Sequence, residues 1–229
     1  MPSVEEVLEM LAAKANHDQL AGMAKYGMTV ERRLGVKVPQ MRKIAKEIGV
    51  DHKLALELWE TGITEAMILA SMVDVPDEVT EEQMEAWVQD FDSWDVCDQV
   101  CMNLFDKTPL AWKKIHDWSD REEEFVKRAA YALIACLAVH DKGASDEVFI
   151  SLIPVIKAGT TDNRNYVKKA VSWALRNTGK RNPELNTVAL ATARELKGTD
   201  SSSARWIGSD AIRDLTSDTT KRRFERTKS

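Results

Sequence analysis

The residues of this 229-residue chain whose types and spacing could do chemistry fall in three segments. In 91–101, FDSWDVCDQVC, Trp94 and Asp98 are four residues apart, so a helix puts the ring and the carboxylate on one face. Cys97, Val100, Cys101 and Leu104 take the apolar face beside them, which makes Asp98 a candidate for a partly enclosed carboxylate. Asp95 could equally be the exposed member, and periodicity does not separate the two. Arg128 opens the very apolar helix RAAYALIACL, where an arginine is a buried partner for a carboxylate or a clamp for a phosphate. Trp173 lies in VKKAVSWALR with Lys168, Lys169 and Arg176. Aromatic and basic residues interleaved on one helix suit a duplex backbone, with the ring offered to sugar or base and the cations to phosphates. For most of the seven tryptophans the plainer reading is core packing.

Helices must carry these residues. Ser3 with Glu6 forms a capping-box pattern ahead of the apolar series Val4, Val7, Leu8, Leu11. Further helix starts read at Pro39, Asp51, Thr80 with Gln83, Ser93, Pro109, Ser145, Asp162 and Pro183, which implies roughly a dozen helices. No stretch alternates long enough for a sheet, so the fold class is all-α. Connections such as Thr61-Gly62 and Lys142-Gly143 are short and predict antiparallel hairpins. The segments beginning Lys127-Arg128, Lys168-Lys169 and Ala204-Arg205 share a stripe of small apolar residues and recur about every 40 residues. That period predicts a HEAT-like helical-repeat solenoid, an α–α superhelix with a concave face lined by the second helix of each pair. A non-repetitive bundle is the alternative. The boundaries read as one domain over 1–220 and a basic, frayed tail over 221–229.

Composition narrows the classes. The net charge of −5 conceals an asymmetry: residues 1–120 carry 12 basic and 23 acidic side chains, residues 121–229 carry 20 and 14. A net +6 in the second half is what a nucleic-acid surface confined to part of a molecule would produce. The longest apolar runs fall short of a membrane span, and the N-terminus is acidic helix rather than a signal, so a cytoplasmic protein is expected. The three cysteines read as reduced, buried small residues. His17, His52, His116 and His140 are widely separated and show no metal-ligand spacing. No Gly-rich phosphate loop or Gly-x-Ser-x-Gly elbow occurs, and neither metal nor cofactor is expected.

Taken together, the Trp-x-x-x-Asp of 94–98, the Lys127-Arg128-Ala-Ala motif and YVKKAVSWALRNTGKRNP over 166–183 resemble the AlkD-type DNA alkylation repair glycosylases, a family of HEAT-like-repeat proteins. The resemblance covers nearly the whole chain. The helix entry GVKVPQMRKI from Gly35 is similar to the family's, whereas the loop Tyr26 to Leu34 is less so. It implies hydrolysis of the N-glycosidic bond of cationic alkylpurines, of the 3-methyladenine and 7-methylguanine type, in duplex DNA without a base-flipping pocket or strand-cleaving lyase activity. By motif, Asp98, Trp94 and Trp173 become the catalytic residues and Arg128 a phosphate contact assisted by Arg176. Lys168, Lys169, Arg164, Lys180, Arg181 and Arg205 are expected on phosphates. The protein should act as a monomer, with alkylated duplex DNA as its partner and no obligate protein partner. Two other readings stay open: a noncatalytic relative that binds DNA structures, and a protein-binding scaffold, against which the positive second half argues.

Overall fold

The computed structural model describes residues 2–226. Among them the chain is all-α, with fifteen α-helices, three short 3-10 turns and no strand. Its contacts divide it into two compact units, residues 1–111 and 112–229.

The N-terminal unit holds α1 (Val4–Ala12), α2 (Leu20–Lys25), α3 (Val38–Ile48), α4 (His52–Glu60), α5 (Thr64–Val73), α6 (Glu81–Gln89) and α7 (Trp94–Asn103). Side chains cap several helices where the sequence predicts it. The Ser3–Glu6 box closes α1, Asp51 Oδ1 accepts from Leu54 N–H, and Thr80 Oγ1 accepts from Gln83 N–H. The hub is α5, buried at nine of its ten positions and packed against α3, α4 and α7. Such a helix needs apolar or small residues all round, and Thr64 to Val73, TEAMILASMV, supplies them except at Glu65. Aromatic rings form a cluster of their own. Trp59 stacks on Trp87 at 3.9 Å between centroids, and Phe91 and Phe105 pack on these rings.

The C-terminal unit comprises α8 (Ala111–Ser119), whose first residue marks the boundary, then α9 (Glu124–His140), α10 (Asp146–Ser151), α11 (Ile153–Gly159), α12 (Asn165–Gly179), α13 (Pro183–Lys197), α14 (Ser202–Leu215) and α15 (Asp218–Arg226). The 40-residue period appears as physical rungs. Helix α12 packs on both α9 and α14. Hydrogen bonds join Arg128 to Tyr166 near the starts of α9 and α12, and Asn177 to Ala135 near their ends, so the two helices run parallel. Ser203 to the Asp162 carbonyl and Arg176 to Asp214 do the same for α12 and α14. Small residues permit the approach. A Cβ at Gly208 of α14 would lie 2.5 Å from the Ala193 carbonyl oxygen and 2.8 Å from the Lys197 nitrogen of α13.

Two expectations shift. Arg128 does not open its helix but sits one turn in, because α9 starts at Glu124 with no side-chain cap to announce it. The tail read as frayed from Lys221 is helical as far as Arg226. Ser217 Oγ accepts from Thr220 N–H, and buried Thr220 donates to the Asp214 carbonyl, which anchors the start of α15. Residues 227–229 lie outside the described residues.

The glycines give a contrast in sign. At Gly208 the obstructing atoms are backbone and cannot swing aside, so Gly208→Ala should lower the unfolding free energy by about 1–2 kcal/mol despite the better helix propensity of alanine. At Gly22 in α2 nothing lies within 4 Å, and Gly22→Ala should raise it by about 0.5–1 kcal/mol. Urea denaturation of both variants reads the two signs.

Candidate functional site

In the N-terminal unit the site grows from the start of α7. Ser93 has extended backbone, and α7 begins with Trp94, half-buried, followed one turn later by half-buried Asp98. Val96, Cys97, Val100 and Cys101 are buried on the other side, and all three cysteines are free thiols. The Trp94 indole N–H donates to the Tyr26 carbonyl at 3.0 Å, which fixes the ring plane. Asp95 receives a forked bond from the Arg33 guanidinium, 2.7 Å to Oδ2 and 3.1 Å to Oδ1, plus the Ser93 hydroxyl at 2.7 Å. The Arg33 side chain is only 3% exposed. Asp95 is thereby a structural anion, and Asp98 is the carboxylate that shares the Trp94 face.

Arg33 belongs to the loop between α2 and α3, a segment the sequence left without a role. Its Nε donates to the Thr29 carbonyl at 2.7 Å, and Thr29 Oγ1 donates to the Asp92 carbonyl at 3.0 Å, tying the loop to the residues before α7. The end of the loop is held by Glu65. That carboxylate, 1% exposed within α5, accepts the backbone N–H groups of Leu34, Gly35 and Val36 at 2.9, 2.7 and 3.1 Å. The sequence signal for this was present: a lone glutamate inside an apolar run must find donors, because a buried carboxylate without them is too costly. Beside the loop opens a cleft of about 410 Å³, with Glu31, Arg32, Trp59, Glu60, Asp90 and Asp92 in its walls. Four carboxylates against one guanidinium do not suit a phosphate.

In the C-terminal unit the cations named from sequence separate into two groups. Arg128 is 5% exposed, and its guanidinium donates to the Tyr166 carbonyl. Arg176 meets Asp210 and Asp214 at 3.3 and 3.2 Å, and Lys180 meets Asp214 at 2.9 Å. Arg164 bonds the Asp162 carboxylate and the Glu122 carbonyl. Arg181 donates to the Ala138 and Ala144 carbonyls and lies 4.6 Å over the Phe149 ring. These five, expected on phosphates, have protein partners already, so they are less open to a DNA backbone than composition implies. The second group faces outward. Lys168 stands 5.1 Å above the ring of Trp206, which is 40% exposed. Lys169 is exposed with no ion-pair partner among the described residues, and exposed Arg205 donates to the Thr199 and Asp200 carbonyls. Trp173 is half-buried in the third turn of α12. Trp94 and Asp98 thus stand in the N-terminal unit, and Arg128, Trp173 and the cations in the C-terminal one.

The model of one protein family, described as DNA alkylation repair enzyme, matches residues 7–215. The chain belongs to that family. The match takes in Trp94, Asp98, Arg128 and Trp173 and ends with α14, so α15 lies beyond it. A solved structure is similar to 93% of this DNA alkylation repair family member and over 95% of its own chain, with a TM-score of 0.77 and 20% identity. It is described as coming from "a new family of proteins related to the HEAT-like repeat DNA glycosylases with affinity for branched DNA structures". At that identity the likeness fixes the fold, and the fold is the HEAT-like repeat one read from the 40-residue period. No curated protein matches the chain.

Asp214 on α14 makes a pH-dependent contribution. Burial pushes the Asp214 carboxyl up, but the bond from Lys180 and the charges of Lys180 and Arg176 outweigh it and hold it below the usual carboxylate range. A depressed folded value means stability present at neutral pH and lost as the pH falls below about 4. Asp214→Asn should therefore be less stable than the wild type at pH 7, with the gap closing below pH ~4, as measured by urea denaturation across pH.

Proposed function

We propose that the protein hydrolyses the N-glycosidic bond of cationic alkylpurines, such as 3-methyladenine and 7-methylguanine nucleotides, in duplex DNA. The observation that carries this reading is the Trp94 face of α7, where the Tyr26 carbonyl fixes the indole and Asp98 follows one helical turn further on. Alkylation already makes the purine a good leaving group. What the protein must supply is stabilisation of the electron-poor sugar and a positioned water. Asp98 stabilises the developing positive charge at the anomeric carbon and orients the attacking water, whose oxygen bonds to that carbon and gives up a proton to solvent while the base departs, neutral, with the bond's electron pair. The ring face of Trp94 holds the deoxyribose, a contact contributing roughly 1 kcal/mol, and the family resemblance assigns Trp173 a contact of the same kind. No lysine is assigned as a Schiff-base nucleophile, so the DNA strand stays intact. The family resemblance gives Arg128 a phosphate. Its burial against the Tyr166 carbonyl supports in addition a part in setting the start of α12, the helix that carries Trp173. Lys168, Lys169 and Arg205 are the outward cations best placed for the DNA backbone. In this reading the protein acts as a cytoplasmic monomer.

A second reading, recognition of branched DNA without chemistry, is favoured by the affinity described for the similar solved structure.

Release of free methylated base from duplex DNA treated with a methylating agent tests the first reading. Asp98→Asn should reduce release on the order of a hundredfold to a thousandfold while DNA binding persists. Absence of release by folded wild-type protein, together with tight binding to four-way junctions, would favour the second. In either case Lys169→Ala should weaken binding to all duplex sequences alike and reduce the slope of log affinity against log salt by about one.

A further inference from the structure

We infer that Arg33 is a positioning residue for the Trp94–Asp98 face, acting on base release rather than on DNA affinity. The inference rests on the glycosylase reading for its kinetic consequence and on geometry alone for its structural one. Helix α7 does not set its own start: the hydroxyl of Ser93, its N-cap residue, makes no bond to a helix N–H and donates to Asp95 instead. The first turn is held from outside. Arg33 grips the Asp95 carboxylate through two guanidinium nitrogens, and its Nη2 lies 3.5 Å from the Ser93 hydroxyl. Its Nε meanwhile holds the Thr29 carbonyl, so one planar group fixes both the helix start and the loop. The same loop presents the Tyr26 carbonyl that orients the Trp94 indole. Arg33 therefore determines where the ring lies and, one turn along a rigid helix, where Asp98 lies. It is too buried to touch a phosphate, with 3% of its side chain exposed. A forked, two-point grip is a property of arginine that lysine lacks.

The test uses the full chain and a variant in which no buried charge is orphaned, Arg33→Met with Asp95→Asn, alongside Arg33→Lys. Single-turnover base release should slow on the order of tenfold to a hundredfold in the double variant, because small misplacements of reacting groups cost that much. Affinity for duplex DNA should stay at the wild-type value, and Arg33→Lys should fall between wild type and the double variant in release. A second readout does not depend on chemistry. In protein labelled with nitrogen-15 tryptophan, the Trp94 indole N–H signal, assigned by its loss in Trp94→Phe, should move and exchange faster with solvent in the double variant. An unchanged Trp94 signal in the folded double variant would overturn the proposal, as would losses of release and affinity that merely track lost helicity. Should the wild type release no base, the glycosylase reading fails, and the Trp94 signal alone decides whether Arg33 positions the face.

Discussion

Backbone N–H groups in an irregular buried segment must all find acceptors, and no helix ladder is available to provide them. Leu34, Gly35 and Val36 meet that requirement through one carboxylate, Glu65, on the most buried helix of the N-terminal unit. The arrangement has two sides. Glu65 tolerates burial only because three donors converge on it, and the loop is ordered only because the carboxylate is there. Arg33, immediately before these residues, is thereby delivered to Asp95, and the start of α7 takes its place from that meeting. A charge buried in the scaffold ends by locating a ring and a carboxylate on another helix.

The C-terminal unit uses its charges differently. Its rungs are joined partly by small residues and partly by bonds between cations and anions on parallel helices, as in Arg176 and Lys180 with Asp214. Such half-buried pairs contribute through geometry and hydrogen bonds more than through Coulomb attraction alone. They also remove positive charge from what a DNA backbone could meet. The regional net charge was a fair guide to sign and a poor guide to which residues project it, since composition counts Arg181 and Lys169 alike although one is held by main-chain carbonyls and the other is open to solvent.

Features carried by neighbouring residues could be read before the fold was known. The caps at Ser3, Asp51 and Thr80, the buried cysteines beside Trp94 and the 40-residue period all depend on spacing along one helix or on its repetition. What escaped were bonds between distant residues. The 62 positions separating Arg33 from Asp95 leave no trace in periodicity, so the partner of Asp95 could not be read from spacing, and only the motif had set Asp98 apart from it. The start of α9 escaped for a local reason, since Glu123 makes no cap and Arg128 was the first conspicuous residue in view. The tail escaped because its composition is polar and charged, while the bonds that seat α15 come from Thr220 and the preceding helix.

The rungs of α9, α12 and α14 also bear on how this part of the chain is made. Its ties join residues about one repeat apart, 38 in the case of Arg176 with Asp214 and 42 for Asn177 with Ala135. Closing loops of that length costs little more entropy than closing loops half as long, and each helix pair needs only its neighbour in order to bury its stripe. Such a chain can assemble in steps during synthesis, each newly emerged pair docking on the one before, with no strand held waiting for a remote partner. Low contact order of this kind favours rapid folding and shortens the time for which apolar surface is exposed to aggregation.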